Sequence, residues 1–178
     1  MTSEYDLEKI KQIIKSFPDF PKPGIMFRDI FPVFRNPKAL EALVDYLVDA
    51  IKTKAGEVDI IIGLEARGFI LGPMIAVKLG AAFAPIRKKG KLPGKCIQVS
   101  YSLHYGQDVF EAQEDAVKEG QKVVIVDDVL ATGGTMSAAG KLVSQMGGEL
   151  KLGLVVIELD ELNGKSRVSF PVHSLIHF

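Results

Sequence analysis

Hydrophobic positions along the chain follow two different periods, and their order predicts a sheet covered by helices. Consecutive apolar residues at 60–62, within a predicted strand at 59–63, and at 123–126 are typical of strands that are buried on both faces. Apolar residues at helical spacing follow in 69–79 and 136–146 and also occupy 40–51. This alternation favours an α/β fold with a central, mostly parallel, twisted sheet flanked by helices.

The N-terminal part of the chain predicts a helix and a stiff loop. Ser3 and Asp6 resemble a capping box, apolar positions then recur at helical spacing from Leu7 to Phe17, and the helix is predicted to end before Phe17. Three prolines and a glycine in 18–24 predict an irregular loop. A second helix is predicted to start after the loop, with Asn36 as its N-cap and Pro37 in its first turn.

A hairpin is predicted in the middle of the chain. Apolar and polar residues alternate from 97 to 103, which is typical of a half-exposed antiparallel strand, and 108–112 is its predicted return. The hairpin tip, 103–106, would stand over the ligand crevice as a lid. Further strands are predicted at 82–86, 152–157 and 172–178, and Pro73 is expected near the start of its helix.

Two adjacent carboxylates, Asp127 and Asp128, follow the strand at 123–126, and a loop rich in glycine and threonine leads from them into a helix. Free N–H groups at a helix start attract anions, and glycines let the backbone approach a ligand closely. The loop residues are Ala131, Thr132, Gly133, Gly134 and Thr135. A ribose 5-phosphate fits both the loop and the carboxylates, with its phosphate on the loop and its hydroxyls on the carboxylates. Neither the P-loop nor the dinucleotide pattern is present, so those two kinds of phosphate site do not fit. The alternative is an ordinary βα turn with a glycine-rich cap.

Composition narrows the class of protein. With 178 residues, 47% of them hydrophobic and 25% charged, the chain is expected to form one globular domain, 1–178. Its 22 basic and 22 acidic residues cancel, so no partner that is a nucleic acid or a membrane is predicted. A single cysteine, Cys96, and a polar N-terminus without a signal peptide predict a cytoplasmic location.

A basic segment follows the predicted strand at 82–86. Residues 87–91 contain four cations, a pattern that in isolation is usually a solvated loop. Ligands of parallel sheets bind beyond the carboxyl ends of the strands, where Arg67, Arg87 and Asp127 are all predicted to lie. Cations at that position would match the charge of a departing pyrophosphate.

Blocks along the whole chain resemble the adenine phosphoribosyltransferase family, which is one of the type I phosphoribosyltransferases. The blocks that resemble the adenine enzymes are 16–21, 23–24, 27–30, 66–69, 86–94 and 101–103, whereas 123–135 resembles the signature of the type I phosphoribosyltransferases as a whole. The resemblance implies the type I phosphoribosyltransferase fold, with an N-terminal hood segment at about 1–35 and a β-hairpin lid. It also implies transfer of the 5-phosphoribosyl group from 5-phosphoribosyl 1-pyrophosphate (PRPP) to adenine, giving AMP and pyrophosphate. Mg²⁺ would be bound mainly through PRPP with no direct protein ligand, and the enzyme would be a homodimer.

The resemblance assigns roles to individual residues as well. The ribose carboxylates correspond to Asp127 and Asp128, and the phosphate loop to 131–135. The pyrophosphate side would be lined by Arg67, Arg87, Lys88, Lys91 and Tyr105. Adenine would lie between Phe27 and Leu159, with the backbone of Met26 and Arg67 at its edge. By itself, the pair Phe27 and Arg28 more often indicates core packing with a surface charge. A cis peptide between Glu65 and Ala66 is also implied.

The chain departs from the family pattern at one position on the hairpin tip. The family has Tyr-x-Leu-Glu-Tyr-Gly where this chain has Tyr-Ser-Leu-His-Tyr-Gly at 101–106, so His104 replaces the glutamate proposed to handle the proton of the purine. A histidine, with a reference pKa near 6.5, is able to serve as an acid or base. The alternative is a surface histidine. His104 is therefore an acid/base hypothesis, and the predicted catalytic residues are His104, Arg67 and Arg87.

Two alternatives to the adenine enzyme stay open. One is a phosphoribosyltransferase for a 6-oxopurine, and the other is a weakly catalytic regulator that binds PRPP or a nucleotide. The basic loop and the lid argue against a regulator, whereas the change at His104 favours it.

Overall fold

The computed structural model describes residues 4–102 and 107–178. The chain forms two compact units, residues 1–46 and 47–178. In the first unit the elements are α1 (Leu7–Ile13), β1 (Lys15–Phe17), β2 (Phe27–Asp29), α2 (Phe31–Phe34) and the beginning of α3 (Pro37–Lys54). The prediction of a single domain with a hood at about 1–35 stays a prediction.

The first helix begins and ends differently from the sequence prediction. Asp6 is itself the N-cap, since its carboxylate accepts a hydrogen bond of 2.8 Å from the backbone N–H of Lys9. Ser3 lies outside the described residues. The helix was predicted to end just before Phe17 but already ends at Ile13, and Phe17 lies in β1, where it pairs with Phe27 of β2. Pro18 favours the extended conformation of Phe17, because a residue that precedes proline is disfavoured in the helical conformation.

The second predicted helix is confirmed. Asn36 accepts a hydrogen bond of 3.2 Å from the backbone N–H of Ala39, as expected of an N-cap. The apolar stripe of α3 is buried at Leu43, Leu47 and Ile51.

The second unit contains a seven-stranded sheet with the strand order β5-β6-β4-β3-β7-β8-β9. Strands β4, β3, β7, β8 and β9 are parallel, whereas β6 is antiparallel to both β4 and β5. The bounds are β3 (Ile60–Leu64), β4 (Ala82–Lys88), β5 (Cys96–Ser102), β6 (Gln107–Gln113), β7 (Lys122–Leu130), β8 (Glu149–Glu158) and β9 (Val172–His177). The predicted α/β class and the predicted hairpin are both confirmed. The hairpin tip, 103–106, lies outside the described residues.

Two helices and two short 3₁₀ segments complete this unit: α4 (Gly68–Leu79), α5 (Gly134–Gln145), Asp160–Leu162 and Gly164–Arg167. Pro73 lies inside α4, so the expectation of a place near the helix start is wrong. The proline removes one backbone hydrogen bond, and full burial of Leu71 and Ile75 on the same helix offsets that loss. No helix within the described ranges is long and apolar enough to cross a membrane.

Strand β7 is longer than predicted, and this sets the place of the two carboxylates. Its pairing with β3 stops at Val126, but its pairing with β8 continues to Leu130. Asp127 and Asp128 therefore lie within β7, just beyond the last residue of β7 that pairs with β3. Arg87 likewise lies within β4, so the prediction that these residues follow the strand ends is wrong.

Candidate active site

A cavity of about 310 Å³ lies at the carboxyl ends of β3, β4 and β7, beside the start of α5. It is lined by Glu65, Arg67, Lys88, Tyr101, Asp108, Phe110, Asp127, Asp128, Val129, Leu130, Ala131, Thr132, Gly133, Thr135 and Met136. The structure thus brings together most of the second-unit residues predicted from the sequence. Gly134, Arg87 and Lys91 are not among the lining residues.

The two aspartates have different electrostatic surroundings although they are adjacent. Asp128 is 3% exposed and forms an ion pair with Nε of Arg67. Asp127 is 9% exposed and accepts a hydrogen bond of 2.9 Å from the backbone N–H of Asp128. Burial, and then the charge of Asp128, raise the pKa of Asp127 well above its usual range. A ligand hydroxyl that donates to Asp127 would stabilise its charged form.

The loop before α5 has the geometry of an anion site. Gly133 has φ of 79°, a left-handed conformation that glycine adopts without steric strain. Within residues 4–102 and 107–178 no side chain caps the N-terminus of α5, so its first N–H groups are available to a ligand together with the helix dipole. Thr132 and Thr135 add hydroxyl groups to the same wall of the cavity.

Lys88 lies in the cavity next to two residues of the hairpin, Tyr101 and Asp108, that were not predicted as site residues. Its Nζ lies 2.8 Å from a carboxylate oxygen of Asp108, and the hydroxyl of Tyr101 donates to that carboxylate at 3.4 Å. Burial and the charge of Asp108 raise the pKa of Tyr101 to about 12, so the phenol stays protonated. The signal in the sequence was the register of the predicted hairpin, because Tyr101 and Asp108 are directly paired across its strands.

Arg87 is held outside the cavity wall by Glu65. Two guanidinium nitrogens donate to the two oxygens of this carboxylate, at 2.9 and 3.0 Å, and a third bond of 3.1 Å goes to the carbonyl of Lys91. The hydrogen bonds from Arg87 lower the pKa of Glu65. Arg87 would reach a pyrophosphate only by exchanging this partner, and its predicted role stays a prediction.

Glu111 organises the basic segment and was also missed. It is 3% exposed and accepts hydrogen bonds from the backbone N–H groups of Lys91 at 2.9 Å and Leu92 at 3.0 Å. Burial alone would raise its pKa, but these backbone donors outweigh burial and lower it. A single glutamate in a short strand carries no distinct sequence signal, so only the fold reveals this function.

Comparison with known proteins agrees with this geometry. The family model of the phosphoribosyl transferase domain matches residues 33–176. The chain belongs to the phosphoribosyl transferase family. An adenine phosphoribosyltransferase of Drosophila pseudoobscura pseudoobscura is 48% identical over 178 residues, covering 100% of this chain and 98% of that protein.

Solved structures of the same family have the same fold. The adenine phosphoribosyltransferase of Thermoanaerobacter pseudethanolicus has a TM-score of 0.94 and 45% identity, covering 97% of this chain and 100% of that one. The enzyme of Saccharomyces cerevisiae, in complex with adenine and an imino-altritol bisphosphate, has a TM-score of 0.92 and 43% identity, covering 95% and 97% of the two chains.

The base-binding residues predicted from the family are divided between the two units. Met26 and Phe27 belong to the first unit, where the Phe27 ring contacts Phe20 edge-on at 5.1 Å. Leu159 belongs to the second unit, and its backbone N–H donates to the carbonyl of Leu130 at 3.0 Å. Their contact with adenine stays a prediction, and His104 and Tyr105 lie outside the described residues. The peptide between Glu65 and Ala66 is cis, as the resemblance implied.

A group of potential metal ligands lies away from the cavity. The ligand atoms of Glu158, Asp160 and His177 lie within 4.8 Å of one another. However, the carboxylate of Glu158 is already bound by Lys165 at 2.5 Å and by the hydroxyl of Ser174 at 2.6 Å. Glu158 therefore acts as an internal ion-pair partner.

Proposed function

We propose that this protein transfers the 5-phosphoribosyl group from PRPP to adenine, giving AMP and pyrophosphate, and so salvages the purine. The observation that carries this proposal is the arrangement of one cavity wall. The buried pair Asp127 and Asp128 adjoins the uncapped helix start after Gly133, so sugar hydroxyls and a phosphate find partners side by side. Relatives named as adenine enzymes along the full length of the chain support adenine as the acceptor.

The reaction that fits this site is a displacement at the anomeric carbon of ribose. The 5-phosphate lies on the loop 131–135, and Asp127 and Asp128 hold the ribose hydroxyls. N9 of adenine forms the new bond to the anomeric carbon while the bond from that carbon to pyrophosphate breaks. Arg67 and Lys88, with Arg87, Lys91 and Tyr105, stabilise the charge that develops on pyrophosphate. The N9 proton leaves with His104 as the predicted acceptor.

Magnesium is proposed as the metal that accompanies PRPP. Four carboxylates line the cavity, and three of them are paired with cations: Glu65 with Arg87, Asp108 with Lys88, and Asp128 with Arg67. This donor set fits an ion held mainly by phosphate oxygens of the ligand, without a dedicated protein cage. Such an ion would supply further positive charge at the leaving group. A cytoplasmic location is proposed from the single cysteine, Cys96, and a homodimer from the family resemblance.

One assay tests the function directly. Protein, Mg²⁺ and PRPP are mixed with each purine in turn, and release of pyrophosphate is followed. We expect release that depends on adenine. Release with guanine or hypoxanthine but not with adenine would mean that the protein is a phosphoribosyltransferase for 6-oxopurines. No release with any purine would overturn the enzyme and favour a regulator. A variant with both Asp127→Asn and Asp128→Asn is the negative control.

A further inference from the structure

The 3₁₀ segment Gly164–Arg167 packs directly against the backbone of the phosphate loop. A β-carbon added to Gly164 would lie 2.2 Å from the carbonyl oxygen of Ala131 and 3.0 Å from the backbone nitrogen of Gly133. In return, a β-carbon added to Gly133 would lie 2.2 Å from the carbonyl oxygen of Gly164. Both contacts are between backbones, so no flexible side chain is present that would move aside. Position 164 is therefore restricted to glycine by the loop itself.

The same segment is fixed to the core of the sheet. Lys165 forms an ion pair of 2.5 Å with Glu158, whose side chain is only 8% exposed at the end of β8. The hydroxyl of Ser174, on β9, donates to the same carboxylate at 2.6 Å. Glu158 is also paired in register with Leu130, the last residue of β7 before the phosphate loop. The loop is thus held by the strand that precedes it and by the segment that packs against it.

Gly164 has no side chain and does not line the cavity, so it can affect a ligand only through the position of the loop. We propose that Gly164 and Lys165 are positioning residues, which keep the backbone of Ala131–Gly133 in place for the phosphate of the ligand. This proposal rests on the proposed function, in which that loop binds the 5-phosphate of PRPP. It assigns a role in PRPP affinity to a segment outside the site.

The first test is Gly164→Ala, which forces the loop away from a contact of 2.2 Å. A displacement of about 1 Å is enough to reduce catalysis about 10²-fold when it misplaces a substrate. We expect the KM for PRPP and the Kd for ribose 5-phosphate to rise about 10-fold or more, with the KM for adenine unchanged. The matched control is Gly148→Ala, whose β-carbon would meet a side chain of Val117 at 2.8 Å. It is expected to lower stability without changing the PRPP parameters.

The second test keeps the glycine and changes the ion pair. Lys165→Met retains the length of the side chain but removes the charge that holds the segment to Glu158. We expect a rise of about 3- to 10-fold in the KM for PRPP, less than the full loss of a charged hydrogen bond, because the ion pair acts on the loop only indirectly. Lys165→Arg is expected to restore the wild-type value. The two variants at Lys165 also test the proposal if Gly164→Ala does not fold.

The outcomes separate this proposal from the function on which it rests. Unchanged affinity for ribose 5-phosphate in Lys165→Met, or equal loss in the Gly148→Ala control, would overturn the positioning role. If the wild type binds ribose 5-phosphate but releases no pyrophosphate with adenine, only the proposed reaction fails. If the wild type does not bind ribose 5-phosphate, the assignment of the phosphate loop fails, and with it the positioning role.

Discussion

Replacing Asp127 by asparagine should stabilise the protein while it impairs catalysis. Asp127 is buried beside Asp128, and burial and that charge raise its pKa. Asparagine has the same shape and keeps an acceptor oxygen for the backbone N–H of Asp128, 2.9 Å away. The substitution therefore removes only the buried charge. In the absence of ligand, that charge opposes folding.

The expected gain in the free energy of unfolding is estimated from single substitutions in other proteins. Single stabilising substitutions commonly add about 0.5–2 kcal/mol to the free energy of unfolding, and we expect removal of this buried charge to fall in that range. For a chain of 178 residues this corresponds to a rise in Tm of roughly 1–8 °C at neutral pH. A lost hydrogen bond to a charged group is worth about 1.5–3 kcal/mol, so kcat/KM for PRPP should fall about 10- to 10²-fold.

The direction of the pKa shift also predicts how the stability difference between the wild type and Asp127→Asn depends on pH. For a carboxyl whose pKa is raised on folding, the native state binds more protons than the unfolded state above the unfolded pKa, about 3.9 for aspartate. The wild type therefore loses stability relative to Asp127→Asn as pH rises from about 4 towards the folded pKa. Thermal unfolding at several pH values should show no difference in Tm near pH 4 and a growing difference above it.

Asp128→Asn is the matched control, with the opposite expected sign. It leaves the guanidinium of Arg67, which is 30% exposed, facing a neutral amide, and should lower the free energy of unfolding by about 1–3 kcal/mol. If both variants change stability in the same direction, or if the difference for Asp127→Asn does not vary with pH, the electrostatic reasoning is wrong.

Three further predictions concern other parts of the molecule. Glu111→Gln should lower the free energy of unfolding by about 1–3 kcal/mol at pH 7. The difference from the wild type should shrink as the pH falls through the lowered pKa of Glu111 in the folded state. A difference in free energy that does not vary with pH in denaturant titrations would contradict this prediction. Gly72→Ala should lower the free energy of unfolding by about 1–3 kcal/mol, because its β-carbon would lie 2.5 Å from the ring of Phe83. The control Val77→Ala, at a position that is 82% exposed, should change the free energy of unfolding by less than about 0.5 kcal/mol. His104→Ala should lower kcat/KM by about 10²-fold and His104→Glu should shift its pH profile; if both profiles match the wild type, the acid/base role is wrong.

The periodicity of apolar residues predicted the sheet and its main helices because burial of the core decides both. The strand at 123–126 is fully buried, and α5 buries Met136 and Leu142 as its spacing indicates. Errors occurred where a local signal competed with a neighbouring element. Strand β1 took the place of the last residues predicted for the first helix, and pairing with β8 extended β7 through the two aspartates.

The charged residues of the site were predictable as a set, but their partners were not. Arg67 and Arg87 were both expected near the carboxylates because each is close to the end of a strand. Which carboxylate each contacts depends on the fold: Arg67 pairs with Asp128, and Arg87 pairs with Glu65. Asp108 and Glu111 were missed since their importance arises only from the hairpin that brings them to the basic segment.

These ion pairs bear on how the site would select its ligand. Within the described part of the chain, the three cations at or beside the cavity, Arg67, Lys88 and Arg87, each have a carboxylate partner. An incoming anion must exchange with these carboxylates, so it gains only the difference between its own attraction and theirs. A monoanion gains little from this exchange, whereas a pyrophosphate has more charge and several acceptor oxygens. We therefore expect a pyrophosphate to displace these carboxylates and a monoanion not to, which would favour PRPP over ribose 5-phosphate, since ribose 5-phosphate has no pyrophosphate group.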